Sequence, residues 1–193
     1  MLIAFEGLDQ SGKETQARAL GTTLASAGHI VRAVSFPDYE TPIGIELGKA
    51  LAGERKFGAE VMQLLYVANR FEHKPQLIQW LAAGDAVVCD RYRASSVAYG
   101  EAQGLDATWL EEIQRDLPQP TVTVLLDISP ETAVVRKRAG RDLYERDLHL
   151  LSRVRASYLR QAEAGWVVID ASQSREAVTA AVASAVLPRL SPR

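Results

Sequence analysis

Gly7-Leu8-Asp9-Gln10-Ser11-Gly12-Lys13 constrains what this chain can fold into more than any other stretch. It joins the short apolar run Leu2-Ile3-Ala4-Phe5 to a segment in which Ala17, Leu20, Leu24 and Ala27 recur at helical spacing. Glycines at its first and sixth positions permit backbone geometries that a side chain would obstruct, so successive N–H groups can turn inward around a polyphosphate. Lys13 adds a positive charge, and a helix beginning near Gly12 offers its N-terminus to the same anion. Strand, glycine loop and helix in that order form the context in which this motif binds phosphate. Gly7, Leu8, Asp9, Gln10, Ser11, Gly12, Lys13, Glu14 and Thr15 are therefore the expected contacts of a nucleotide polyphosphate. One position departs from the pattern. The residue after the lysine should carry a hydroxyl that ligates magnesium, yet the chain has Glu14 and only then Thr15. Either the metal is held differently here, or Thr15 substitutes imperfectly.

Beyond the loop, short apolar runs alternate with helical patterns. Strands are expected at 30–35, 86–89, 122–128 and 166–170, and helices at 43–52, 59–83, 95–102, 106–116, about 144–162 and 174–186. A further helix starts at Ser129-Pro130-Glu131, with a good cap and proline in its first turn. Pro75 is expected to kink or split the helix over 59–83. Residues 188–193 read as a frayed tail. The expectation is an α/β fold of phosphate-loop type: a parallel five-stranded sheet covered by helices on both faces, in a single domain spanning 1–193. Ligands of such a sheet bind at the carboxyl ends of its strands.

Lys and Arg number 22 against 24 Asp and Glu, so no global field favours nucleic acid or an anionic membrane, and neither is an expected partner. Cys89 is the only cysteine and lies in the run Ala86-Val87-Val88-Cys89, which makes an internal disulfide impossible and a buried thiol the expectation. No apolar run approaches the length needed to span a bilayer, and no signal peptide precedes the first strand. A soluble, cytoplasmic protein fits these features.

Asp90-Arg91 sets a carboxylate beside a guanidinium just beyond a buried strand, where phosphate-loop proteins keep a carboxylate near the magnesium shell. Arg91 can grip an acceptor phosphate bidentately; the pair can also be a structural ion pair sealing the strand end. Between about 136 and 146 lie Arg136, Lys137, Arg138, Arg141 and Arg146, on a segment broken by Gly140. That combination reads as a mobile lid bringing cations to a transferring phosphoryl group, with a solvated basic helix end as the alternative. The lid reading is favoured for Arg138 and Arg141. His29, His73 and His149 share no metal-ligand spacing.

Phe5-Glu6-Gly7-Leu8-Asp9, Phe36-Pro37-Asp38-Tyr39, Leu64-Leu65-Tyr66-Val67-Ala68-Asn69-Arg70, Asp90-Arg91-Tyr92 and Ala94-Ser95-Ser96-Val97-Ala98-Tyr99 together resemble the thymidylate kinase family, in the family's order and over nearly the whole chain. The resemblance implies transfer of a phosphoryl group from ATP to dTMP, giving dTDP, with Mg2+ and in a homodimer formed by helix packing. It implies that the loop and lid hold ATP, that Arg91 acts near the acceptor phosphate and that Tyr66 stacks on thymine. Arg70 would reach the base or its phosphate, Phe36 would line the pocket with Pro37 and Ser96 beside it, and Tyr99 would press against the 2′ position of the sugar. Asp9 would lie near the sugar hydroxyl and the metal, with Asp90 as the second carboxylate close to that ion. Many members carry an arginine after the loop aspartate or just after the Phe-Pro pair, where this chain has Gln10 and Asp38-Tyr39. Arg138 and Arg141 would then supply the catalytic cation, alongside Lys13, Arg91 and Asp9, and Tyr39 could meet the acceptor phosphate through its hydroxyl. The alternatives are a kinase for another nucleoside monophosphate or deoxynucleoside, and a nucleotide-binding module with weakened catalysis, for which Glu14 is the best argument.

Overall fold

The computed structural model describes residues 1–136 and 147–190. Within them, five parallel strands form one sheet in the order β2-β3-β1-β4-β5. The first half of the chain runs β1 (Leu2–Glu6), α1 (Lys13–Ser26), β2 (Val31–Ser35), α2 (Pro42–Leu51), α3 (Ala59–Ala82), β3 (Ala86–Asp90) and α4 (Arg93–Ala102). The second half runs α5 (Ala107–Glu112), β4 (Val122–Asp127), α6 (Pro130–Arg136), α7 (Leu148–Ala162), β5 (Val167–Asp170) and α8 (Arg175–Val186). The α/β class and the parallel five-stranded sheet expected from the sequence are found.

β1 is the central strand, paired with β3 from Leu2↔Val87 to Phe5↔Asp90 and with β4 from Ile3↔Val122 to Glu6↔Leu125. All five of its residues are buried, which is why the run lacks polar alternation: helices cover both faces. Ile3 and Phe5 share a cluster with Leu20 and Leu24 of α1, Val154 of α7 and Val178 of α8. Leu2 and Ala4 share another with Val87, Cys89 and Leu77 of α3. Each large apolar side chain so buried contributes about 1.5–3 kcal/mol, and the largest apolar ones, such as Phe5 and Leu77, are fully buried. The chain leaves β1 toward β2 on one side and reaches β4 later on the other. The crevice where those connections diverge therefore opens beyond Glu6, at the sheet's carboxyl edge.

Three expectations need amendment. α3 runs through Pro75 as one element of 24 residues, so of the two expected effects the split does not occur. A proline deletes one helical donor, and the turns on either side carry enough packing, including fully buried Leu77, to keep the helix assembled. α5 ends at Glu112, ahead of the expected boundary, and passes into turns before Pro118. Leu187–Arg189 forms a short 3-10 turn where a frayed tail was expected. Lys137, Arg138, Arg141, Arg146, the expected start of α7 near 144 and residues 191–193 lie outside the described residues.

Candidate active site

The loop between β1 and α1 takes backbone conformations that ordinary residues avoid, with φ of 138° at Gly7, 64° at Gln10 and 93° at Gly12. Gly7 is obligatory for a second reason: a Cβ there would stand 2.5 Å from the carbonyl oxygen of Leu126. Leu8 is buried, and Lys13 Nζ donates to its carbonyl oxygen at 2.8 Å, folding the lysine back along the loop. Burial lowers the Lys13 pKa to about 8; the neighbouring charge of Arg91 adds to that, and Asp9, Asp90 and Glu6 oppose it. The buried hydroxyl of Ser11 has no hydrogen-bond partner among the described residues. Glu14 is exposed on α1, pairing with Arg18 at 2.7 Å, and half-buried Thr15 follows it.

Arg91 leaves β3 with φ 62° and its backbone N–H donates to the carbonyl oxygen of Phe5 at 2.8 Å, which fixes the residue against the central strand. Its Nη2 donates to Asp9 Oδ1 and, at 3.4 Å, to the Tyr99 hydroxyl. Nη1 donates to Ser95 Oγ and to the Tyr158 hydroxyl, both at 3.1 Å. Behind that pair lies Glu6, fully buried at the end of β1. Its carboxylate accepts from Tyr92 N at 2.9 Å, Ser95 Oγ at 2.6 Å and the Tyr158 hydroxyl at 3.2 Å. The guanidinium is thus held from the front by Asp9 and Tyr99, and from behind by Ser95 and Tyr158 backed by Glu6. Burial pushes the Asp9 carboxyl up, but the charges of Arg91 and Lys13 outweigh it and hold the group well below the usual carboxylate range. Burial likewise works against charged Arg91, and Asp9 more than restores it. Asp90 differs. Its Oδ1 is buried without a hydrogen bond to any described residue, and burial raises its pKa although Lys13 and Arg91 pull the other way.

The second half of the site is built by α3, α4 and the loop after β2. Gln63, Tyr66 and Arg70 fall on one stripe of α3, and Ser95, Ser96 and Tyr99 face them from α4. Asn69 ties the loop to α3: its Oδ1 accepts from Asp38 N at 2.8 Å, and its Nδ2 donates to Asp38 O at 3.1 Å and Thr41 Oγ1 at 2.7 Å. Phe36 is buried, with His73 edge-on at 5.4 Å between centroids, Pro37 follows through a cis peptide, and Tyr39 is half exposed at the rim. Arg70 is buried and its Nη1 donates to Ser96 Oγ at 2.8 Å; burial lowers its pKa to about 10, against the attraction of Glu6, so it remains a cation at neutral pH.

Two cavities result. One of about 100 Å³ is bounded by Phe36, Gln63, Tyr66, Arg70, Ser96 and Tyr99. A cleft of about 300 Å³ is bounded by Gln10, Lys13, Glu14, Ser35 and Asp90. Both share Asp9, Phe36, Pro37, Tyr39 and Arg91, so the two spaces meet at the Asp9–Arg91 pair. Thr15 lines neither. A larger cleft of about 400 Å³ beside α4 and α5 contains none of the residues from Gly7 to Lys13. Arg136, at the end of α6, donates to the carbonyl oxygens of Gln10 at 3.2 Å and Ala171 at 2.8 Å, so it clips the loop to the segment after β5. Arg138 and Arg141 fall outside the described residues. Sequence reasoning passed over Glu6 and Tyr158 as functional residues. A carboxylate closing an otherwise apolar central strand was a usable signal, since a buried charge demands partners; nothing local marks Tyr158, which is 67 residues from Arg91.

A parallel sheet with a phosphate loop at its switch point, and a second cavity meeting the loop's cleft at an arginine–aspartate pair, defines a phosphate-loop kinase fold. A family model described as thymidylate kinase matches residues 5–182. The chain is 34% identical over 189 residues to a thymidylate kinase of Arabidopsis thaliana, covering 98% of this chain and 72% of that one. It is 32% identical over 180 residues to the thymidylate kinase of Homo sapiens, covering 92% and 85%. Among solved structures, a thymidylate kinase from Candida albicans superposes with a TM-score of 0.86 at 28% identity, covering 97% of this chain and 91% of that one. The chain belongs to the thymidylate kinase family.

Proposed function

We propose that the chain transfers the γ-phosphoryl group of ATP to dTMP, giving ADP and dTDP. The observation that carries this reading is the meeting of the two cavities at Arg91 and Asp9. A phosphate oxygen of dTMP, already anionic and needing no base, attacks the γ-phosphorus as the bond to the β-phosphate oxygen breaks. Catalysis is therefore a matter of positioning and charge. Residues 7–15 cradle the ATP phosphates, with Lys13 as their cation. Arg91, held by Asp9, Ser95 and Tyr158, faces the acceptor phosphate. Tyr66 stacks on the base, Arg70 and Ser96 meet its polar edge, Phe36 and Pro37 close the pocket, Tyr39 reaches the phosphate from the rim, and Asp9 and Tyr99 flank the sugar. Arg138 and Arg141 are proposed, from their sequence position, to add positive charge around the transferring group.

Magnesium fits the residues present. The buried Asp90 oxygen that has no hydrogen-bond partner among the described residues is available to a hydrated ion, whereas Asp9 is engaged by Arg91 and Tyr99 and lies nearby. Glu14 faces Arg18 and offers no replacement for the missing hydroxyl. When bound, the ion would neutralise negative charge on the ATP phosphates. Exposed Ile45 of α2 and exposed Val61, Leu64 and Ile78 of α3 support a homodimer through these helices, which sedimentation would test. No helix among the described residues is long and apolar enough to cross a membrane, and a cytoplasmic location is proposed with that in view. The reaction is tested by separating products after incubation with ATP, Mg2+ and dTMP: dTDP and ADP should appear in equal amounts. Formation of ADP without dTDP would refute the transfer.

A further inference from the structure

We infer that Gln63 reads the imide edge of the acceptor's base, its Nε2–H donating to a ring carbonyl and its Oε1 accepting the N3–H. Gln63 is fully buried on α3, one turn before Tyr66 and two before Arg70, and it lines the smaller cavity with both of them. Neither its Nε2 nor its Oε1 has a hydrogen-bond partner among the described residues. A buried amide with both ends unmatched costs free energy unless something bound in the cavity completes it. The side chain has little freedom to turn elsewhere, because α4 passes close by: a Cβ on Gly100 would stand 3.3 Å from Gln63 Cγ. Arg70 Nε, in the same wall, is also buried without an acceptor while Nη1 is spent on Ser96.

The unmatched groups therefore comprise an amide donor, an amide acceptor and a guanidinium donor. An imide presents the complementary series of carbonyl, N–H and carbonyl, as thymine and uracil do. Cytosine presents an amino group in place of one carbonyl and a bare nitrogen at N3. With Arg70 Nε on the carbonyl that cytosine replaces by its amino group, a donor would face a donor whichever way the Gln63 amide is turned, and a site built to hydrogen-bond a group rejects the analogue lacking it. This inference rests on the reading of the smaller cavity as the acceptor site, and it adds a base-selecting residue to that site.

The test is titration calorimetry of dTMP and dCMP into wild type and Gln63→Met, a variant of similar length and volume, with thermal unfolding of each ligand-free protein. The Met variant should bind dTMP roughly tenfold more weakly, and its preference for dTMP over dCMP should shrink by a similar factor. Its ligand-free unfolding midpoint should be unchanged or higher, since an unsatisfied amide has been removed, which a purely structural role would not produce. In wild type, dTMP methylated at N3 should also bind at least tenfold more weakly than dTMP; this comparison decides the matter if the Met variant fails to fold. Equal affinity of wild type for the N3-methyl analogue and dTMP, or an unaltered dTMP affinity in Gln63→Met, would overturn the role of Gln63 while leaving dTMP phosphorylation standing. A wild-type protein that makes no dTDP overturns the acceptor-site reading and this inference with it.

Discussion

Replacing Tyr158 by phenylalanine should slow phosphoryl transfer, although Tyr158 belongs to none of the sequence motifs. The substitution keeps a fully buried ring in place and removes one hydroxyl. That oxygen lies 3.1 Å from Arg91 Nη1, 2.8 Å from Ser95 Oγ and 3.2 Å from Glu6 Oε2. Glu6 keeps Tyr92 N and Ser95 as partners, and Arg91 keeps Asp9, Tyr99 and Ser95, so neither charge is left unpaired. The loss should lie near that of one hydrogen bond to charged groups, about 2 kcal/mol. For a chain of this size that corresponds to a fall in Tm of roughly 4–8 °C. A guanidinium freed at one of its two rear contacts should lower kcat by about tenfold, equivalent to ~1.4 kcal/mol of transition-state positioning. The KM for ATP should stay nearly constant, because the loop from Gly7 to Lys13 is untouched. Steady-state kinetics with both substrates varied, alongside thermal unfolding, separates these effects. A lowered Tm with wild-type kcat would refute the reasoning, showing that Tyr158 stabilises the fold without positioning Arg91.

Lys13 should make ATP use pH-dependent. With its pKa lowered to about 8, kcat/KM for ATP should fall as pH rises through that value, and the fall should disappear in Lys13→Arg. Because the folded value lies below the ordinary 10.5, the unfolded chain holds more protons between the two, so the Lys13 contribution to unfolding free energy should rise with pH across that window. Glu14→Thr should remain active, since among the described residues Glu14 pairs only with exposed Arg18; a dead variant with normal ATP binding would assign the carboxylate a catalytic role. Tyr99, whose ring lies 5.4 Å from the Arg91 guanidinium carbon and whose hydroxyl donates to Asp9 at 3.3 Å, should exclude a 2′-hydroxyl. Tyr99→Ala should therefore raise kcat/KM for UMP relative to dTMP, and an unchanged ratio would remove Tyr99 from sugar selection.

The loop and the strand ends were legible because their chemistry is local. Gly7, Gly12 and Lys13 sit at fixed spacing, and the apolar strand that ends in Asp90-Arg91 announces polar residues at a sheet's carboxyl edge. The parallel sheet followed from β1 and β3, whose unbroken apolar runs reflect burial on both faces. What stayed hidden depends on contacts between distant segments. Tyr158 reaches Glu6 across 152 residues, and no periodicity in α7 distinguishes a tyrosine that fills the core from one that orients an arginine. Gln63 was invisible for the opposite reason: a polar residue in a helix reads as a solvent-facing position, and only its full burial next to Tyr66 and Arg70 gives it a role. Pro75 does not split α3, because the packing of the turns around it outweighs the loss of one helical donor.

The most direct test of the account is a coupled ADP-release assay with ATP and Mg2+ across dTMP, dUMP, dCMP, UMP and dGMP. A cavity walled by Tyr66, Arg70 and Tyr99, read as the acceptor site, predicts the highest kcat/KM for dTMP, a lower value for dUMP and a much lower one for UMP. Turnover of UMP equal to that of dTMP, or no dTMP-dependent release of ADP, would contradict it.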